Sequence, residues 1–245
     1  TVVFSEGNTR ATMPIYSEVY SNMYPRTGKW YYEVFVENEV YALTIYGAAP
    51  AMDSNRGNTG GSIGYHSGNG YKYVLGSDSA YGATFTDGDI VGVAMNLDDN
   101  EVTLYKNNSS QGAISNQLTA GVGYGLMFAD ERDGVAIVNF GQDSSFSGGK
   151  VAQGNKDGNG KGDFFYAPPT GFMAMCTSNL PTPTITNPEE NFNTVLYTGT
   201  GSSNAITGVG FQPEMTMISE RDESEAVAVV DILRGNTVEV NISST

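Results

Sequence analysis

Hydrophobic and polar residues alternate in several short segments of the chain, which is the pattern of a β-strand with one buried face. The clearest segment covers residues 30–37. Its two sets of alternate residues are Trp30, Tyr32, Val34 and Val36 on one face, and Tyr31, Glu33, Phe35 and Glu37 on the other. Because the second set contains two glutamates, the pattern predicts a strand that is buried on one face only.

A second alternating segment, 90–97, is followed by the polar turn 98–100 and by the alternating segment 101–106. This order predicts a β-hairpin. Further strands are predicted at 41–46, 71–75, 125–128 and 135–140. Regularly spaced short strands separated by polar turns favour a β-sandwich.

The chain divides by composition into three regions. Residues 1–145 contain the alternating segments and no sustained helical stripe, so we expect one sandwich domain there. Residues 146–190 are rich in glycine and proline, and because proline cannot donate to a strand ladder, we expect a long loop and an extended strap. Alternation returns in 191–245, which predicts the start of a smaller second β region, with strands at 194–198, 214–219, 226–232 and 237–242.

The amino-acid composition supports an all-β fold, because 31 glycines, 15 tyrosines and 11 phenylalanines among 245 residues favour turns and strands over helix. Twelve basic residues against 27 acidic ones give a net charge of −15. This charge argues against nucleic acid and anionic membranes as partners. A single cysteine and a single histidine exclude an intramolecular disulfide and a zinc site built from those two residue types.

Four segments resemble parts of a SPRY domain in their order and spacing. They are GKWYYEV at 28–34, DGDIVGVA at 87–94, VTLYKN at 102–107 and VNFG at 138–141. The resemblance covers roughly residues 25–145. It implies a bent β-sandwich of the concanavalin-like type that binds partners through its loops and usually has no catalytic activity.

A second resemblance concerns YAPPTGF at 166–172, CTSNLP at 176–181, FNTVLYTG at 192–199 and GVGFQP at 208–213. These segments are similar to sequences that accompany SPRY domains in tailed-bacteriophage proteins. The resemblance implies a non-enzymatic virion structural or attachment protein, such as a tail fibre, capsid fibre or decoration protein of the extracellular particle. Its expected partners are other virion proteins, further copies of itself, and a host-surface protein or glycan. The alternatives are a glycan hydrolase on a concanavalin-like fold and a secreted bacterial lectin.

One group of residues has the composition of a sugar-binding site, in which aromatic platforms lie beside planar amides and carboxylates. Its members are Asp53, Asn55, Tyr65, His66, Asn69 and Tyr71, with Tyr73 nearby. The alternative is that these are ordinary tyrosines at strand ends.

A second group fits the first half of a calcium-binding loop, in which alternate oxygen ligands precede a glycine. Its members are Asn155, Asp157, Asn159 and Asp163. Tyr166 occupies the twelfth position, where a bidentate glutamate is usual. A bound Ca²⁺ and a flexible turn are the two interpretations, and we predict no other cofactor.

We predict no catalytic residues. Residues 220–225 spell the E-x-D-x-x-E signature of concanavalin-type glycan hydrolases, with Glu220, Asp222 and Glu225 at the acidic positions. The residues between them are charged or polar, which indicates a solvated turn. His66 lies close in sequence to two serines, Ser62 and Ser67, but without a nucleophile-elbow motif. We expect Cys176 to be buried and inert.

The unfinished strand set in the C-terminal hundred residues predicts association through 146–245, because unpaired strand edges are normally covered. A truncated chain of residues 1–145 is expected to be soluble and monomeric, and the full chain to self-associate or to bind a virion neighbour.

Overall fold

The computed structural model describes residues 1–38, 43–50, 62–130, 133–180, 184–222, 227–235 and 240–241. It forms two compact units, Thr1–Leu180 and Pro181–Thr245. The described residues contain strands and three single-turn 3₁₀ helices, Glu6–Asn8, Thr177–Asn179 and Pro188–Glu190, and no α-helix. Within these ranges no helix has the length and apolar character needed to cross a bilayer. The predicted all-β fold is confirmed.

The strands in chain order are β1 (Val3–Ser5), β2 (Arg10–Thr12), β3 (Ser17–Tyr20), β4 (Lys29–Asn38), β5 (Leu43–Pro50), β6 (Ile63–His66), β7 (Tyr71–Val74), β8 (Ser77–Ala80), β9 (Ile90–Asn96), β10 (Glu101–Lys106), β11 (Ser109–Ser115), β12 (Tyr124–Asp130), β13 (Val135–Asn139), β14 (Met173–Ala174), β15 (Met215–Ile218), β16 (Ala228–Asp231) and β17 (Val240–Asn241).

The first unit is a sandwich of two mainly antiparallel sheets. The larger sheet has the order β1-β2-β13-β4-β9-β10-β11, and β14 is added parallel to the start of β4. The smaller sheet has the order β3-β12-β5-β6-β7-β8. The predicted hairpin is formed by β9 and β10, in which Val93 lies opposite Leu104.

The main core lies between the two sheets. From β4 it receives the predicted inward set, Trp30, Tyr32, Val34 and Val36, all buried. The smaller sheet contributes buried side chains such as Ile45 and Leu126. The sheets come close at Gly47, where a Cβ atom would lie 2.9 Å from the side chain of Val93. Because glycine has no side chain, β5 can pack closely against the larger sheet at this position.

The expectation that β4 is buried on one face only is wrong. On its second face Tyr31 is 2%, Glu33 0% and Phe35 6% exposed. The cover is provided by residues 141–180, here called the covering segment. Its Phe164 ring packs edge-on against Tyr31 with centroids 5.2 Å apart, and its Phe146 ring lies 5.4 Å from that of Phe35.

The first compact unit therefore extends to Leu180, past the domain end expected at residue 145. The covering segment is largely irregular, as its glycine content predicted. It is nevertheless anchored, because Phe146 and Phe164 are buried and β14 pairs with the beginning of β4. Apart from the two residues of β14, the covering segment stays outside the larger sheet, yet it belongs to the packed unit.

The second unit contains the antiparallel sheet β15-β16-β17. Its strands correspond to the predicted segments 214–219, 226–232 and 237–242. The strand predicted at 194–198 is not present. These residues are irregular, and no described strand pairs with them. The unit exposes large apolar side chains, among them Phe192, Leu196, Met215, Met217 and Leu233.

Candidate functional site

The residues predicted as a sugar-binding group lie around β6 and β7, but they do not all face the same way. Tyr65 is fully buried, with its ring 4.8 Å from that of Phe85 and its hydroxyl donating to the carbonyl of Ala83. The expectation that Tyr65 is a surface platform is therefore corrected, since successive residues of a strand point to opposite faces of the sheet. Asp53 and Asn55 lie outside the described residues.

The outward-facing members of the group meet on the smaller sheet. The rings of His66 and Tyr73 lie 5.7 Å apart. Tyr73 and Tyr20 also pack against the buried side chains of Ala49 and Met127. We call the surface formed by Tyr20, His66 and Tyr73 the outer aromatic face. All three rings are half-buried, and those of Tyr20 and Tyr73 pack against the buried side chains beneath them.

Asn69 and Tyr71 lie beside this face in the connection between β6 and β7. The Asn69 side-chain oxygen accepts a hydrogen bond from the Tyr71 backbone N–H at 2.9 Å. His66 Nδ1 accepts one from the Gly68 N–H at 3.2 Å. The Tyr71 side chain is 36% exposed. These bonds fix the turn, so the backbone that bears the adjoining aromatic rings has one conformation.

A concave feature lies between the last strands of the two sheets. A groove of about 420 Å³ runs between the β7–β8 hairpin and β11, and we call it the edge groove. Its lining includes Lys72, Val74, Ser77, Ser79, Ile114 and Ser115. In the described part of the chain, β8 is the last strand of the smaller sheet and β11 the last strand of the larger one. Two open sheet edges therefore border one groove.

The predicted calcium loop lies within the covering segment. Asp157 is buried, and its carboxylate accepts hydrogen bonds from the N–H groups of Asn159, Lys161 and Ala174 and from the Asn179 amide, at 2.7 to 2.9 Å. Burial opposes ionisation of Asp157, but these donors outweigh it and lower the pKa of the carboxyl. Both oxygens therefore have protein donors, which gives the loop a structural role.

The other predicted calcium ligands are arranged differently. Asn155 donates to the carbonyls of Phe164 and Phe165, and Asn159 donates to the side-chain oxygen of Asn179. Asp163 has one buried oxygen with no hydrogen-bond partner. No group of three or more histidine, cysteine, aspartate or glutamate side chains suited to a metal ion occurs in the described ranges. Bound Ca²⁺ stays an untested interpretation of this loop.

Glu33 is a buried carboxylate that the sequence analysis had not singled out. It accepts hydrogen bonds from the backbone N–H groups of Phe165 and Tyr166 at 2.9 and 2.7 Å, and from Asn139 at 3.2 Å. The Tyr31 hydroxyl donates to it at 3.3 Å. Burial raises the pKa of Glu33 to about 7, although these donors act in the opposite direction. Glu33 thus connects β4 to the covering segment through a group that titrates near neutral pH.

The other residues considered for catalysis differ in their burial. Glu220 and Asp222 are exposed in the connection after β15, while Glu225 lies outside the described residues. Ser62 and Ser67 are fully buried. Cys176 is half-buried, so the expectation of full burial is corrected. It packs near Tyr31 and Phe164 at the margin of their cluster.

His66 and Tyr73 could be found from the sequence because aromatic residues are recognised directly within a predicted strand. Sequence reasoning missed Glu33, which looked like an ordinary residue of a polar face. It also missed the edge groove, whose lining comes from the ends of two different sheets. The only local signal for the groove is Leu75-Gly76, the two-residue turn between β7 and β8.

The strand order defines the first unit as a two-sheet β-sandwich. Residues 29–142 match the family profile of the SPRY domain. This match agrees with the four segments noted above. Residues 187–245 match a family described as a domain of unknown function, DUF7483.

Three solved structures are similar to 56% of this chain. They are a human SPRY domain (14% identity, 93% of that chain, TM-score 0.46), the SPRY domain of human HERC1 (14%, 91%, 0.47) and the TRIM65 PSpry domain (12%, 84%, 0.45). No curated protein sequence matches the chain.

Proposed function

We propose that this chain is a non-enzymatic structural or attachment protein of a tailed-bacteriophage virion, and that its SPRY domain binds a protein or a host-surface glycan. The observation that carries the binding function is the SPRY domain at residues 29–142, since such domains are typically non-catalytic interaction modules. The virion assignment is supported by the resemblance of residues 166–181 and 192–213 to segments of tailed-phage proteins.

The outer aromatic face is the surface that we assign to this binding. Aromatic rings combine a large apolar area with few rotatable bonds, so they bind a ligand at low entropic cost. His66 and Tyr73 adjoin each other, and Tyr73 rests on buried Ala49 and Met127. The face is therefore largely formed before a ligand arrives. Stacking against rings suits a sugar, and the same rings suit an apolar protein surface.

The hydrolase alternative has less support from the structure. Glycan hydrolases need two carboxyl groups on opposite sides of a bound sugar, about 5 to 10 Å apart. Glu220 and Asp222 are exposed in a connection outside the SPRY domain. A lectin would use the same outer aromatic face as an attachment protein, so only the location of the protein separates these two functions.

Location is tested on tailed-phage particles purified from the source that encodes this chain. Mass spectrometry of the particles should find peptides of the chain at a stoichiometry of several copies per particle. Absence of these peptides from intact, infectious particles, together with their presence in the culture medium, would favour the secreted lectin and contradict the virion assignment.

The binding surface is tested with the full chain applied to host cells and to a panel of their surface polysaccharides. Replacing Tyr73 by alanine should reduce binding at least tenfold, whereas Phe4→Ala should leave it unchanged. Phe4 is a matched control because it is 48% exposed on β1, in the other sheet. Binding that survives both Tyr73→Ala and His66→Ala would show that the partner uses another surface.

A further inference from the structure

The edge groove has the features of a binding site for an extended polypeptide. Its two long sides are strands at the ends of their sheets, β8 and β11. In an antiparallel strand, every other residue points its N–H and C=O groups away from its paired neighbour. An outermost strand therefore offers a row of unpaired donors and acceptors, which can accept one more strand from another chain.

The turn between β7 and β8 shows which backbone groups are available. Val74 and Ser77 flank the two-residue turn Leu75-Gly76, in which both residues have positive φ angles of 50° and 75°. Residues that close such a turn exchange hydrogen bonds with each other. The next residue, Asp78, consequently points its backbone N–H away from β7. Within the described chain, nothing pairs with this edge.

The groove is held open by contacts at one end. The Tyr81 hydroxyl donates to the Gly112 carbonyl at 2.5 Å, and the Ala83 N–H donates to the Gln111 side chain at 2.8 Å. These bonds tie the residues after β8 to β11. Ile114 is 3% exposed, and both it and Val74 pack into the main core. The lining is thus part of the rigid sandwich, so little ordering is needed when a ligand binds.

Charge specifies the ligand further. Lys72 is the only charged residue lining the edge groove among those described, and its Nζ lies 5.8 Å from the centre of the Tyr81 ring. The carboxylate of Asp78 is not part of this lining, because Asp78 lies opposite Tyr73 whereas Lys72 lies opposite Ser79. In a chain with a net charge of −15, this lysine gives the groove a positive charge. An acidic side chain on the ligand would pair with it.

We infer that the edge groove binds an extended polypeptide segment that adds a strand to β8 and places an aspartate or glutamate beside Lys72. Small or β-branched residues of the segment contact Val74 and Ile114. The inference rests on the proposed function, since it takes the SPRY domain to be a binding module, and it assigns that module a second surface. The unpaired backbone edges favour a polypeptide over a glycan, because a glycan cannot continue a strand ladder.

The test uses the biotin-labelled full chain and a library of random nine-residue segments displayed on yeast. Enriched segments should contain an acidic residue and alternating β-branched residues. Lys72→Glu should weaken their binding at least tenfold, and Lys72→Arg should restore most of it. Asp78→Pro should also weaken binding at least tenfold, because proline removes the outward N–H while a strand edge tolerates it.

Lys156→Glu is the matched control, because Lys156 is an exposed lysine of the covering segment. It should leave binding unchanged, and circular dichroism confirms that each variant is folded. Segments that bind Lys72→Glu and Asp78→Pro as tightly as the parent overturn the inference, as does a library without enrichment. If their binding is lost in Tyr73→Ala instead, the groove assignment fails while the proposed binding function stands.

Discussion

Trp30 is a core residue of the first unit and lies near the start of β4. It is 4% exposed, and its indole N–H donates to the Thr27 carbonyl at 2.7 Å. Trp30→Ala would remove the ring and leave a cavity, so the free energy of unfolding should fall by about 3–5 kcal/mol. Urea unfolding followed by circular dichroism measures this loss. The control Phe4→Ala should change it by less than about 1 kcal/mol, and a similarly small loss for Trp30→Ala would contradict the core assignment.

Glu33 makes the stability of the first unit depend on pH. Its carboxyl has a pKa of about 7 in the folded protein, against an ordinary value of 4.5. The folded state therefore binds this proton more tightly than the unfolded state does. The stabilising contribution of the protonated group is complete below pH 4.5, and it is lost as the pH rises from there through 7.

Glu33→Gln tests this dependence because glutamine does not titrate. The melting temperature of the parent, relative to that of the variant, should fall between pH 5 and pH 8. Glu6→Gln, at an exposed position, controls for the general effect of removing a charge. A difference between parent and Glu33→Gln that is constant over this pH range would show that Glu33 does not titrate in it.

At the scale of elements, the covering segment is held to the sandwich by Asp157. Asp157→Asn places an amide N–H₂ against backbone donors, so the free energy of unfolding should fall by about 1–3 kcal/mol. Hydrogen exchange should accelerate in residues 155–180 and stay slow in β9. The exposed Asp78→Asn is the control, and equal exchange in both variants would argue against the anchoring role.

The parent protein and the Asp157→Asn variant also test the calcium hypothesis. Because the oxygens of Asp157 already accept four hydrogen bonds, added Ca²⁺ should leave the melting temperature unchanged. A rise that is present in the parent and absent in Asp157→Asn would instead establish a bound cation.

Strands could be predicted from the sequence where the hydrophobic alternation within the strand itself determines which of its residues are buried. β9 and β10 are examples, since their alternation and intervening turn are contained in 90–106. Glu33 and Phe35 show the limit of such reasoning, because their burial depends on residues more than a hundred positions later. Alternation itself implied that neighbours such as Tyr65 and His66 could not both face outward. The edge groove depends on strand order, and β8, which reads Ser-Asp-Ser-Ala, has no hydrophobic alternation to reveal it.

At the scale of the whole molecule, the covering segment decides which part of the chain folds alone. A chain of residues 1–180 should be soluble and monomeric with a cooperative thermal transition. A chain of residues 1–145 would lack Phe164 and the cover over Tyr31 and Glu33, so it should aggregate. This replaces the earlier expectation for 1–145. Sedimentation velocity of both chains measures the result, and a stable monomer of 1–145 would contradict it.

We expect the full chain to self-associate through its second unit. Its side chains Met215, Met217 and Leu233 are 61%, 59% and 94% exposed, and several large apolar side chains exposed in one small unit are a common feature of surfaces covered by a partner. The full chain should sediment as an oligomer at micromolar concentration, while residues 1–180 should remain monomeric. Met217→Lys should shift the full chain toward monomer, and Leu75→Lys, an exposed leucine of the first unit, should not.

The parallel pairing of β14 with β4 also bears on how the protein is made. Trp30 lies opposite Met173, so β4 leaves the ribosome long before the residues that complete its sheet and cover its outer face. At translation rates of 5–20 residues per second, this interval lasts roughly 7 to 30 s. For most of that time Tyr31 and Phe35 lack the rings of Phe164 and Phe146 that cover them in the folded protein. Nascent chains therefore pass through a period in which they are prone to aggregate, and the period ends only when the covering segment has been synthesised.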